Sequence, residues 1–205
     1  RVDGFLAGPT PTSIHFRNYP SVAENLEFVR KERDTLLLTG AIIAWDDLPQ
    51  SVTGGQPPRV VSPITVAFHK IKKKNRLCID MRYVNLWLLY CPFKFEKLTD
   101  LLSTIDFFKD SLGDAWVTVV DLKSGYHHIP LHPSCFTYSC FSVDEVIYAS
   151  TTLSFGMAQS VKAFSDVEEE KHRCARDLGI PMTFMIDDRA LVQKSKARAT
   201  QVEKR

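Results

Sequence analysis

Apolar positions along the chain follow two periods, and the switches between them outline the elements. Val22, Leu26, Val29, Leu36 and Leu37 fall at near-helical intervals. Ser21 stands three residues before Glu24 in capping-box spacing and Gly40 ends the pattern, so one amphipathic helix is expected there. Residues 41–45 read as a short strand, and residues 51–58, rich in Gly and Pro, as a flexible connection. Residues 64–68 and 77–79 are apolar strands flanking a basic run, the pattern of a hairpin with a basic tip. Leu98, Leu101, Leu102, Ile105 and Phe108 mark a second helix ending near Gly113. Residues 116–120 form a β-branched strand leading into Asp121, and residues 136–141 and 146–153 a hairpin around Asp144 and Glu145. A third helix is expected over 159–178, stopped by Gly179 and Pro181. Residues 182–186 and 190–192 are two short apolar strands joined through Asp187, Asp188 and Arg189. Residues 1–20 read as a loose lead-in and 193–205 as a polar tail. Strands, hairpins and helices follow one another without regular βαβ alternation. That order predicts an α+β fold, an antiparallel sheet backed by helices.

Composition narrows the class. The 205 residues suit one domain, or one domain plus a small lobe. With 44% hydrophobic and 24% charged residues, the chain reads as globular and not as disordered. No apolar run approaches the roughly 18 residues needed to cross a bilayer, so no membrane association is expected. The chain begins with Arg and shows no signal peptide, as in a fragment or processed piece. Its five cysteines are scattered with no Cys-x-x-Cys pair, which points to a reduced, intracellular protein of the cytoplasm or nucleus. The net charge of +2 identifies no partner, but the distribution is uneven: Lys70, Lys72, Lys73, Lys74 and Arg76 crowd into seven positions. Such a run reads either as a solvated loop or as a set of phosphate contacts.

The candidate chemistry lies in carboxylates. Asp121 ends a buried-type strand, and Asp187 and Asp188 sit side by side between two others. Adjacent acids in an apolar hairpin repel each other and destabilise the fold unless water or a cation compensates. Mg²⁺ suits such oxygens and bridges substrate phosphates, and two ions about 3.5–4 Å apart serve in-line phosphoryl transfer. The alternative is an ordinary acidic turn. Three other features carry no comparable signal. His127, His128 and His132 have no Cys or acid at zinc spacing. The run Glu168-Glu169-Glu170 reads as a solvated helix face, and Phe164 and Phe184 as core. No Gly-rich phosphate loop or Ser-His-Asp arrangement is present.

Four blocks, in order, resemble the motifs of retrotransposon reverse transcriptases. The stretch from Val119 to Ile129, with Asp121, Leu122, Ser124, Gly125, Tyr126 and His127, resembles the first catalytic motif. Val61-Ser62-Pro63-Ile64 with the segment from Arg76 to Asn85 resembles the fingers motif. Leu153-Ser154-Phe155-Gly156 resembles the family's Leu-Pro-Phe-Gly block, and Met185-Ile186-Asp187-Asp188 its aromatic-x-Asp-Asp box. The likeness spans about residues 21–192; within the group, the DIRS-like (tyrosine-recombinase) and gypsy-like elements are the nearest in pattern.

The resemblance implies a right-hand polymerase: fingers and part of the palm over 21–113, the rest of the palm over 114–192, and a thumb absent, the chain ending 17 residues after Asp188. It implies an RNA-directed DNA polymerase that extends a primer on an RNA or DNA template with dNTPs, using two Mg²⁺ or Mn²⁺ ions. Asp121, Asp187 and Asp188 then hold the metals, with the Leu122 carbonyl as an additional ligand. Lys70 and Arg76 meet the triphosphate, the Arg through forked contacts. Tyr126 lies under the sugar and excludes a 2′-hydroxyl, and Phe155 and Gly156 line the nucleotide pocket. Lys72, Lys73, Lys74, Arg82, Asn85 and Met185 fall on the nucleic-acid side, with Arg82 and Asn85 also read as structural. Other domains of a longer polyprotein (thumb, RNase H, recombinase or integrase) are the implied partners.

Three departures qualify the likeness. Met185 replaces the usual Tyr or Phe, Ser154 replaces Pro, and the basic tip lacks a Gly. Met185 and Ser154, with the early end of the chain after Asp188, leave open a catalytically inactive remnant that at most binds nucleic acid or a protein. An RNA-directed RNA polymerase is disfavoured by the bulk of Tyr126.

Overall fold

The computed structural model describes residues 11–71, 73–92, 97–112, 115–180, 182–185 and 188–193. In chain order the elements are β1 (Ile14–His15), α1 (Pro20–Glu24), α2 (Leu26–Leu38), β2 (Ile42–Ala44), α3 (Gln50–Thr53), β3 (Val60–Ser62), β4 (Ile64–His69), β5 (Lys74–Ile79) and α4 (Arg82–Asn85). There follow α5 (Leu98–Leu112), β6 (Trp116–Asp121), β7 (Cys140–Val143), β8 (Val146–Ser150), α6 (Ala158–Asp177), β9 (Met182–Met185) and β10 (Asp188–Gln193). They form two compact units. One takes the described residues up to 91 together with 126–160, and the other 92–125 together with those from 161 onward.

The first unit is built on a five-stranded sheet in the order β1-β3-β7-β8-β2. β3 runs parallel to β1 and β7, and the other pairs are antiparallel. In this unit the sheet is therefore mixed, where the element order predicted an antiparallel one. Parallel neighbours need long crossovers, which α1, α2 and β2 supply between β1 and β3. Val22, Val29, Ile42, Ile64, Phe141, Val143 and Tyr148 form the core beneath it. The β4–β5 hairpin adds Val66, Leu77 and Ile79 to that core.

Local chemistry explains where elements differ from the sequence pattern. The expected first helix breaks at Asn25 (φ −128°, ψ 34°) into α1 and α2. The Asn25 side chain donates to the Ser21 carbonyl at 2.9 Å and accepts from Asn75 Nδ2 at 3.0 Å, bonds that compete with helical continuation. Ser21 caps nothing; its hydroxyl accepts from the Val66 amide and bonds Thr65, tying α1 to β4. Within 51–58, expected to be a loop, a helical turn forms over Gln50–Thr53 before Gly54 (φ 63°) reverses the chain. Residues 136–138 belong to a 3₁₀ turn, Pro133–Tyr138, capped by His132, and not to the strand that follows. Asp144 and Glu145, both at positive φ, close the β7–β8 hairpin as a two-residue turn. The Asp144 carboxylate is held by Arg30 at 2.8 and 3.0 Å.

The second unit carries a three-stranded antiparallel sheet in the order β6-β10-β9. α5 packs on β10. The stripe Phe164, Glu168 and His172 of α6 is buried, at 2%, 1% and 0% exposure. Positions four apart share a helix face, so this stripe reads inward. Glu168 therefore corrects the expectation of a solvated acidic run. Both units combine sheet and helix, and the chain is of the α+β class.

Candidate functional site

The second unit holds the carboxylate strands β6 and β10. β6 pairs with β10 so that Asp188 lies directly opposite Asp121, and the ladder then runs to Gln193 opposite Trp116. On its other side Asp188 pairs with Met185. Asp188 thus begins a strand, and only residues 186 and 187 connect it to β9. Directly opposed residues of an antiparallel pair share one face of the sheet, with Cβ atoms roughly 4.5–5.5 Å apart. Asp121 and Asp188 thus hold same-face positions at the terminal rung. On β6 that face also carries Val119, 66% exposed, and Val117, whereas Val192 of β10 and Thr183 of β9 on the same face are buried, so the face is exposed along β6 alone.

Behind the rung lies an ion-pair group that sequence reasoning missed. Arg189 bonds Glu168 Oε2 through Nε at 2.8 Å and through Nη2, and Lys171 Nζ bonds Oε1 at 2.7 Å. Burial raises the Glu168 pKa, but the hydrogen bonds from Lys171 and Arg189 outweigh it and hold the carboxyl below its ordinary value. The available signal was positional: Glu168 sits four residues from both Phe164 and His172 on one helix face.

Gly125 explains part of the first motif. A Cβ there would meet Phe164 Cζ at 3.0 Å and Cε2 at 3.1 Å, so glycine lets α6 approach the turn that follows Leu122.

The first unit holds the candidate nucleotide-site residues Tyr126, Phe155 and Gly156. Tyr126 is buried and meets Phe155 edge-to-face, with centroids 4.6 Å apart. Phe155 is 55% exposed, and the His127 ring also meets it edge-on, with centroids 6.2 Å apart. Burial and the neighbouring His128 lower the His127 pKa. Gly156 adopts φ +92°, and a Cβ there would press on the Ile79 carbonyl at 3.0 Å. Asn85 donates to the Gly156 carbonyl and accepts from the Ala158 amide, both at 2.8 Å, clamping the turn that follows Phe155. Ser154 is buried, and its carbonyl accepts from the Ser160 hydroxyl at 2.8 Å.

The β4–β5 hairpin places Arg76 across from Ala67 and Lys74 across from His69, on the face opposite the core-facing Val66 and Leu77. Lys70, Lys73, Lys74 and Arg76 are exposed. Arg82 is exposed and is held by the Asp80 carboxylate, at 2.6 Å to Oδ2, and by the Tyr19 hydroxyl. Lys72 and Asp187 lie outside the described residues; Asp121, Asp188 and Met185 are placed by their backbones.

Comparison with known proteins gives these motifs a context. No protein-family model matches the chain. Over 152 residues it is 28% identical to the Retrovirus-related Pol polyprotein from transposon 412 of Drosophila melanogaster, covering 74% of this chain. Its fold matches two crystal structures of Prototype Foamy Virus Protease-Reverse Transcriptase. One is a CSH mutant, with a TM-score of 0.72 at 20% identity, and the other is the native protein, with 0.68 at 17%. Both alignments cover 98% of this chain. The chain spans only 11% of the transposon polyprotein and 24% of the foamy virus chains. No helix among the described residues is long and apolar enough to cross a membrane. The chain is thus similar in sequence to part of a transposon Pol polyprotein, and its fold is that of part of a viral protease-reverse transcriptase.

Proposed function

We propose that the chain is the catalytic core of an RNA-directed DNA polymerase that extends a primer with dNTPs by two-metal nucleotidyl transfer. The observation that carries this reading is the register of Asp188 against Asp121 at the end of the β6–β10 ladder. Two like charges directly opposed on one face destabilise a sheet on their own. Arg189, the cation next in sequence to Asp188, is committed to Glu168. A hard divalent cation fits such an all-oxygen donor set. Asp121, Asp187 and Asp188, with the Leu122 carbonyl, are the residues to hold Mg²⁺ or Mn²⁺. When bound, such ions supply Lewis-acid activation of a primer hydroxyl and charge neutralisation at a triphosphate.

The remaining roles belong to the chain itself. Lys70 and Arg76 bind the triphosphate from the hairpin, which serves as fingers; the β6-β10-β9 sheet serves as palm. Tyr126, braced by its contact with Phe155, bounds the sugar and rejects a 2′-hydroxyl. Gly156, held by Asn85, lets the backbone approach the incoming nucleotide. Met185, beside Asp188 in β9, supports the primer end. Lys72, Lys73, Lys74 and Arg82 face template or primer phosphates, where each lysine or arginine adds salt-dependent affinity. Further domains of a longer polyprotein complete the grip on the substrate.

Primer extension on a primed RNA template, by this chain and by the longest natural polypeptide that contains it, is the test. Incorporation that requires Mg²⁺ or Mn²⁺ and is abolished by Asp188→Asn supports the reading. The competing reading, an inert remnant motivated by Met185 and Ser154, predicts folded protein, no incorporation, and RNA binding indifferent to that substitution.

A further inference from the structure

The helix α6 meets elements from both carboxylate strands through residues one turn apart. Phe164 packs on Gly125, in the turn that follows β6 and Asp121. Glu168, four residues later on the same face, receives Arg189, the residue after Asp188 in β10. Glu168 is 1% exposed, with one oxygen taken by Arg189 and the other by Lys171. Arg189 leaves β10 on the face opposite that of Asp188, because successive strand residues alternate. The ion pair thus anchors β10 from behind at the position adjoining the terminal rung.

We propose that Glu168 is a positioning residue: with Arg189 it fixes β10 on α6, while Phe164 fixes the end of β6, so that α6 sets the spacing of Asp121 and Asp188. A buried ion pair is a poor stability device, since apolar replacement of both partners is often neutral or stabilising. What the pair supplies and an apolar contact does not is a directional bond, with two guanidinium donors converging on one carboxylate oxygen. The inference rests on the metal-binding reading of Asp121 and Asp188 for its functional meaning, but its structural half stands separately.

The test compares wild type with Glu168→Leu/Arg189→Leu, using Glu170→Gln, which alters an exposed pair with Arg173 on the same helix, as control. Three quantities are read: thermal unfolding midpoint, metal-free amide exchange over residues 188–191, and Mn²⁺ affinity. The expected result is a folded double variant with a midpoint near that of wild type, about tenfold faster exchange in β10, and weakened Mn²⁺ binding; the control changes none of these. Unchanged exchange in β10, or Mn²⁺ affinity equal to a metal-binding wild type, overturns the proposal. If wild type and Asp188→Asn both bind no Mn²⁺, the metal reading falls, and the exchange result still decides whether Glu168 positions β10. Should the double variant not fold, Arg189→Lys keeps the charge but loses the convergent donors. Faster β10 exchange in that variant supports the proposal, and unchanged exchange overturns it.

Discussion

Asp188 stands directly across the β6–β10 ladder from Asp121, and the two form its terminal rung. Opposed like charges destabilise a strand pair by roughly 0.2–1 kcal/mol. Asp188→Asn is therefore expected to raise the metal-free unfolding free energy by about that amount. Denaturant titration in chelator checks it; a clear loss of stability in the variant contradicts the arrangement.

Gly125 is a packing glycine. Gly125→Ala drives a methyl group into the Phe164 ring, and overpacking of this kind costs about 1–3 kcal/mol. Because the obstacle is a side chain, Phe164→Leu in the same chain recovers part of the loss. Denaturant midpoints for the two single variants and the double variant read the coupling.

Gly156 meets a backbone obstacle. Its φ is +92°, and the Ile79 carbonyl lies 3.0 Å from where an alanine Cβ would sit, so Gly156→Ala has no soft neighbour to displace. The expected cost is about 1–3 kcal/mol, with no rescue from side-chain truncation at Met81. Asn85→Ala, which removes both bonds to the same turn, costs about 0.5–1.5 kcal/mol per bond lost. Thermal melts of each variant test both.

The Asp80 group makes stability depend on acid. Hydrogen bonds from Arg82, opposed by partial burial and assisted by the Tyr19 hydroxyl, hold the Asp80 carboxyl well below the usual carboxylate range. The depressed folded-state value means that the stabilisation is complete above the unfolded value of about 3.9 and is lost as pH falls below it, toward the folded value. Asp80→Asn is expected to flatten the fall in unfolding midpoint between about pH 4 and pH 2. An unchanged slope contradicts the assignment.

Much of this architecture was legible in periodicity. The apolar run over 64–68, and the run from Val117 to Val120 ending in Asp121, pointed to strands where β4 and β6 form. The helix expected over 159–178, stopped by Gly179 and Pro181, is α6, shifted by one residue. What was not legible depends on contacts distant in sequence. Asn25 breaks the first helix because Asn75 and Ser21 satisfy its side chain, and no local pattern reveals Asn75 as a partner. The parallel pairing of β3 with β1 and β7 is likewise a matter of tertiary placement. At the site, the motifs drew attention to Asp121 and Asp188 but not to their support. A glutamate inside an acidic run looks solvated until Arg189, 21 positions on, is seen to hold it. Asn85 was legible as a motif residue, whereas its clamp on the turn at Gly156 required the fold.

Mn²⁺ titration followed by calorimetry, on wild type, Asp121→Asn and Asp188→Asn, tests the central claim most directly. The account predicts saturable binding to wild type that stabilises the fold, by about 2.7 kcal/mol at one hundred times the dissociation constant, and loss of that binding in both variants. Equal binding by wild type and the two variants, or none by any of them, contradicts it.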